Sequence, residues 1–192
     1  WIAQREGRAK DANDRTQESL LKMLNMSGDE DFATNLSRLN ICPLSISYEY
    51  DPCDFLKAKE FQQKRDNPDF KKQDMDDLVN MQTGVMGYKG KIVYSVTGDI
   101  NKELAEMAAT TKNKNELITL TAQLIDRRIH SNYSIYAVNK VAYDLLNGTT
   151  RFEKEYTIME KLDFESYIEK QIQKNELNNK KFEFLKKKII RI

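Results

Sequence analysis

One histidine, two cysteines and three prolines in 192 residues set the first limits on this chain. Cys42 and Cys53 are too few for a disulfide framework at this length. Their separation, with His130 as the sole histidine, matches no zinc spacing, and no other metal or organic cofactor is implied. They read as two reduced thiols. Few prolines and no Ser-rich stretch leave no clear linker. No apolar run approaches the roughly 18 residues that a membrane span needs, and no segment has the pattern of a signal peptide. A charge surplus is missing too: 31 Lys plus Arg face 30 Asp plus Glu, which argues against a general nucleic-acid binder. What remains is a charge-rich sequence, 32% charged and 40% hydrophobic, with enough apolar residues for one good core.

The order of patterns suggests an α/β layer fold. Trp1–Ala3 read as the tail of a strand or as a buried segment that runs into a charged loop, "QREGRAK". Asp14, followed three residues later by Gln17, marks a helix start; Leu20, Leu21, Met23 and Leu24 give it an apolar stripe, and Gly28 ends it. A short helix with Phe32, Leu36 and Leu39 on one face follows. Leu44, Ile46, Tyr48 and Tyr50 then alternate with Ser45, Ser47 and Glu49, the two-residue period of a strand. Helix-like pieces around 54–65 and 73–82 lead to a glycine-punctuated turn, Gly84, Gly87 and Gly90, and to a strand from Ile92 to Val96. Beyond residue 101 only helices are expected. Leu117, Leu120 and Leu124, beside Ile118, Ala122, Ile125 and Ile129, make a wide apolar face, and Val138, Val141, Ala142, Leu145 and Leu146 make another before Gly148. The expected division is an α/β part over residues 1–100, with at least part of a parallel sheet, and a helical extension over 101–192. Three strands are few for so many helices. Together with the abrupt start at Trp1, this suggests a piece of a longer polypeptide.

Several features have ordinary readings. Gly84, Gly87, Gly90 and Lys91 imitate a phosphate loop but lead into a strand, so a turn is expected. Asp74, Asp76 and Asp77 lack the calcium-loop spacing and read as a solvated helix start. His130 reads as a histidine at a helix end. Near the C-terminus, Phe182, Leu185, Ile189 and Ile192 share a helical face flanked by lysines, which suits either packing or an anionic membrane.

"REGRAK", about 35 residues before "ICPLSI", resembles the third and fourth sequence blocks of the glycerol-phosphate acyltransferase superfamily, which includes the 1-acylglycerol-3-phosphate acyltransferases. "KIVYSVTGDI" is similar to their later segment of strand, glycine, small loop and isoleucine. "WIAQREGRAKD", "SISYEYDPCD" and "YAVNKVAYDLL" look like a bacterial subgroup with a helical C-terminal extension. Glu6 and Gly7 match the Glu-Gly of the third block, but its arginine falls at Ala9, between Arg8 and Lys10, and Gln4 and Arg5 replace its Phe-Pro.

The resemblance implies the later part of an enzyme of phospholipid synthesis. A fatty-acyl group would pass from a CoA or acyl-carrier-protein thioester to glycerol phosphate or a lysophospholipid, at the cytoplasmic face of a membrane. Arg5, Glu6, Gly7, Arg8 and Lys10 would form the acceptor-phosphate loop: the cations supply donors to phosphate, and the glycine permits close backbone approach. The catalytic His-x-x-x-x-Asp block would lie upstream, since His130 is followed at the fifth position by Ile135. The alternative is a non-catalytic α/β-plus-helical module that binds a partner protein, its charged loop a solvated turn.

Overall fold

The computed structural model describes residues 1–5 and 15–174. Among them the chain forms α1 (Glu18–Leu24), α2 (Phe32–Arg38), β1 (Leu44–Tyr48), α3 (Asp54–Asp66), α4 (Asp74–Met86), β2 (Ile92–Val96), α5 (Asn101–Thr110), α6 (Lys114–His130), α7 (Ala137–Asn147) and α8 (Ile158–Gln173). This is a mixed α/β chain dominated by helix. It folds as two compact units, each discontinuous in sequence: residues 1–47 with 93–134, and residues 48–92 with 135–192. The expected division at residue 100 therefore falls inside the first unit, because the chain returns to that unit through β2.

α6 is the centre of the first unit. Leu117, Ile118, Ala122, Leu124, Ile125 and Ile129 are buried on it against Leu21 of α1, Phe32 and Leu36 of α2, and Ile100 and Leu104 at the start of α5. Asn113 starts α6 by accepting from the backbone N–H groups of Asn115 and Glu116, and Asp31 does the same for α2 with Ala33 and Thr34. These caps satisfy donors that the first turn of a helix leaves over. The N-cap of α1 is Gln17, without a side-chain cap bond. Asp14, the expected start signal, lies outside the described residues.

Among the described residues the sheet has two strands and is antiparallel; the parallel arrangement that the alternation of elements suggested is not seen there. Thr97 N donates to Pro43 O and Glu49 N to Lys91 O, which fixes the register: Leu44 faces Val96, and Ile46 faces Tyr94. The two-residue period of β1 is as expected, yet the buried side is the serine side. Ser45 and Ser47 are buried, while Val96 and Tyr94 on the opposite face are 67% and 62% exposed. The reason is local. Ser45 Oγ donates to the carbonyl of Ile129 in the last turn of α6, and Ser47 Oγ accepts from Ser134 N at 2.9 Å. Small hydroxyl side chains let the strand approach the helix end and satisfy groups that the helix cannot satisfy itself. Trp1–Ala3, expected as a strand end or a buried segment, form no strand and are exposed, Trp1 by 91%. No ladder partner for them is present among the described residues.

The second unit packs Ala58 of α3, Val138, Val141 and Ala142 of α7, and Phe164, Ile168 and Ile172 of α8 into a smaller core rimmed by tyrosines. α4 runs through Gly84, so only Gly87 and Gly90 of the expected glycine turn lie outside the helix. Gly90 has φ +63°, and a Cβ there would meet Glu49 and Tyr50 below 3.0 Å. Gly148, which ends α7, has φ +62° and open space around it. Both positions need left-handed backbone, but only Gly90 also needs the missing side chain. Gly148→Ala is expected to cost about 1 kcal/mol, and Gly90→Ala about 2–4 kcal/mol because overlap adds to strain. Urea unfolding of the two variants beside the wild type measures the difference; equal losses would remove the steric part.

Candidate functional site

The loop singled out in the sequence is described at its foot only. Arg5 is half-buried, whereas Glu6, Gly7, Arg8 and Lys10 lie outside the described residues. The foot itself is well built. Gln4 O accepts from Gln17 N at 2.9 Å, so the chain entering and leaving the segment meets across one backbone hydrogen bond. On the outgoing side Thr16 is buried, and both its N–H and its hydroxyl donate to Asp126 Oδ1 of α6, at 2.8 and 2.6 Å. Thr119 Oγ1, also on α6, donates to Glu18 at 2.7 Å in the first turn of α1. A carboxylate with two donors from one threonine is a firm anchor, since bonds to a charged acceptor are the stronger kind. Asp126 thus ties the end of the charged segment to the most buried helix of the first unit.

The remaining candidates behave as ordinary structure. His130 is the last residue of α6, exposed, with its ring 5.6 Å from that of Tyr133. Asp76 accepts from Gln73 N at the start of α4, and Asp77 pairs with Lys72 at 2.7 Å. Cys42 and Cys53 are free thiols, and Cys53 Sγ donates to Asn80 O at 3.4 Å. Among the described residues no cluster of His, Cys, Asp and Glu could hold a metal ion. The amphipathic segment 178–192 lies outside the described residues.

Two acidic centres in the second unit have no distinct signal in the sequence. Asp54, the first residue of α3, is buried and accepts from Tyr167 Oη, from Gln171 Nε2 at 2.7 Å and from the N–H of Phe55. It joins α3 to α8 through side chains 113 and 117 residues away. Burial pushes its carboxyl up to about 6, against the lowering effect of its hydrogen bonds from Tyr167 and Phe55. Burial likewise raises Tyr167, with the nearby Asp54 charge adding to it. The ring of Tyr50 lies 4.5 Å from that of Tyr167, and burial together with Glu49 pushes its hydroxyl up to about 12. Asp144 of α7 is the second centre. It accepts from Thr149 Oγ1 at 2.8 Å, Phe152 N at 2.9 Å and Tyr156 Oη at 3.1 Å. Burial works to raise its carboxyl, but these bonds outweigh it and hold it below the ordinary value. Both aspartates organise turns and helix junctions. The small hollow between α3 and α4, about 80 Å³ and lined by Leu56, Lys59, Phe70 and Val79, does not adjoin a catalytic grouping.

Comparison with family models, with curated proteins and with solved structures finds no match to this chain.

Asp54 makes stability depend on pH in a defined direction. Its folded value, about 6, is above the ordinary 3.8, so the folded chain binds more protons than the unfolded one between these limits. The stabilisation from this group is complete below pH 3.8 and is lost as pH rises through 6. Asp54→Asn keeps an acceptor for Gln171 and removes the charge. It is expected to flatten the pH dependence between about 4 and 7 and to gain up to about 3 kcal/mol relative to wild type across that interval. Urea unfolding at both ends of the interval measures it; an unchanged slope would show that Asp54 is not the group responsible.

Proposed function

We propose that this chain is the acceptor-side portion of an acyltransferase of phospholipid synthesis, moving a fatty-acyl group from acyl-CoA or acyl-carrier protein to glycerol phosphate or a lysophospholipid at a membrane surface. The observation that carries the reading is the foot of the charged loop. Gln4–Gln17 closes it, and Thr16–Asp126 anchors it, so Arg5, Glu6, Gly7, Arg8 and Lys10 belong to one short segment held at both ends. Such a segment can bring two or three cations to one phosphate, with glycine allowing close backbone approach. A carboxylate among them would repel phosphate, so Glu6 serves in another way, holding a cation in orientation or accepting a hydrogen bond from a hydroxyl of the acceptor.

The order of elements is compatible with the resemblance. The loop leads to a helix; buried Pro43 precedes the short strand β1; β2 is followed by Gly98 and the fully buried Ile100. An isolated pair of strands is marginal in water, and on the apolar face Leu44 and Ile46 are half-buried while Tyr94 and Val96 are exposed. Further strands of an acyltransferase sheet would cover Tyr94 and Val96. In the proposed reaction the residues of this chain bind and orient the acceptor. Proton removal from its hydroxyl belongs to a His-x-x-x-x-Asp block that this chain does not contain.

Arg8→Ala with Lys10→Ala is expected to weaken binding of glycerol 3-phosphate and of lysophosphatidate about tenfold or more, since each removes a charge-assisted contact. Isothermal titration of the chain with each ligand measures this. In a longer polypeptide carrying the histidine block, the same pair should raise KM for the phosphorylated acceptor while kcat stays within about a factor of two, as expected for lost uniform binding. Unchanged acceptor affinity and kinetics would leave the partner-binding module as the better reading.

A further inference from the structure

We infer that the junction between the start of α3 and the last turns of α8 is a proton-operated latch, closed in mild acid and opening more often as the pH rises towards neutral, so that the end of α8 lifts while the rest of the second unit stays folded. Acyl transfer plays no part in it.

The end of α8 is held by two kinds of contact. Phe164, Ile168 and Ile172 form its buried stripe, packed with Val138, Val141 and Ala142 of α7 and Ala58 of α3. Tyr167 and Gln171, one helical turn apart, both reach Asp54: Tyr167 Oη donates to Oδ2, and Gln171 Nε2 donates to Oδ1 at 2.7 Å. Gln171 Nε2 also donates to Tyr167 Oη at 2.8 Å, and Phe55 N donates to Asp54 Oδ1. The cluster is dry, with Asp54 only 3% exposed and Gln171 only 4%.

Every donor in it is neutral. Lys174, just past α8, stands with its Nζ 4.8 Å from the centre of the Phe55 ring and is the weakest of the influences on Asp54. Lys57 of α3 is paired with Asp51, and Asp51 itself opposes a charge on Asp54. Tyr50 packs on Tyr167 and feels Glu49, Tyr88, Asp163 and Glu160. Burial keeps both phenols protonated through the neutral range, Tyr50 being pushed up to about 12 and Tyr167 raised as well. α7 brings apolar side chains to this core, and its Asp144 is held by Thr149, Phe152 and Tyr156. The single histidine ends α6, in the first unit. Asp54 is the group of the junction that changes charge near neutrality.

A carboxylate withdrawn from water regains less from neutral donors than it loses in hydration, whereas the neutral acid loses little and can donate to Tyr167 Oη. Burial accordingly pushes Asp54 up to about 6 from the ordinary 3.8, against its bonds from Tyr167 and Phe55. Lifting the last turns of α8 returns the group to water and to its ordinary value. The closed latch therefore binds the proton more tightly than the open one. Its extra stabilisation is complete below pH 3.8, shrinks as the pH rises, and is gone above 6. The open fraction is expected to rise about tenfold between about pH 5 and about pH 7.5. Complete unfolding also exposes Asp54, but a helix end held by few contacts opens at a lower free energy than the whole unit.

Hydrogen exchange of the full chain tests the latch, read by mass spectrometry over about pH 5 to about pH 7.5 and corrected for the intrinsic pH dependence of amide exchange. After that correction, residues 167–173 of wild type are expected to exchange about tenfold faster at the upper limit, with α6 and α7 unchanged. Asp54→Asn should abolish the response. Tyr167→Phe should keep it and move its midpoint upward, since the lost bond is one that lowers the carboxyl; a merely structural contact would loosen α8 equally at every pH. A pH-independent α8 in wild type, the same response in Asp54→Asn, an unmoved midpoint in Tyr167→Phe, or a response shared equally by α6, α7 and α8 would each overturn the inference.

Discussion

Burial of the apolar face of α6 is the constraint on which the first unit depends. Seven residues from Leu117 to Ile129 are withdrawn from water on one helix, and α1, α2 and the start of α5 exist as stable elements because they cover it. The polar attachments use the same helix. Ser45 reaches the carbonyl of Ile129 at its end, Thr119 reaches Glu18, and Asp126 holds Thr16. The strand and the charged segment are thus referred to one rigid body. A shift of α6 would move the foot of the loop and the serine side of β1 together.

The second unit solves its packing problem differently. Its apolar core is small, and buried aspartates take over part of the work of joining helices. Asp144 meets a hydroxyl, a backbone N–H and a phenol around the end of α7, three donors for one carboxylate. Asp54 receives comparable donors but sits deeper in an apolar and aromatic setting, so desolvation outweighs them. Two aspartates in one unit are therefore displaced in opposite directions. The cause is the balance of burial against donor count.

How far the sequence reveals these arrangements depends on the range of the force involved. β2 and the helices after residue 101 follow from local periodicity and caps, because the residues that decide them are neighbours. Gly148 is visible for the same reason: a left-handed helix end is a property of one residue and its φ. The strand direction is set by pairing across about fifty residues, and the alternation of helix and strand does not encode it. Ser45 and Ser47 look like the solvent side of a strand until Ile129 and Ser134 are brought to them. Asp54 is one acidic residue at a helix start in a chain rich in such residues, and its meaning lies in Tyr167 and Gln171. Most of the charged segment lies outside the described residues, and what the structure adds is the anchorage at Gln4, Thr16 and Gln17, which its composition does not encode.

That anchorage has a consequence for how the segment can vary. Its two ends stand one peptide hydrogen bond apart, so their separation is set by Gln4 and Gln17 and not by the number of residues between them. The entropy of closing such a loop grows only with the logarithm of its length, about 0.6 kcal/mol per doubling. Insertions or deletions between these two residues are therefore expected to act weakly on folding.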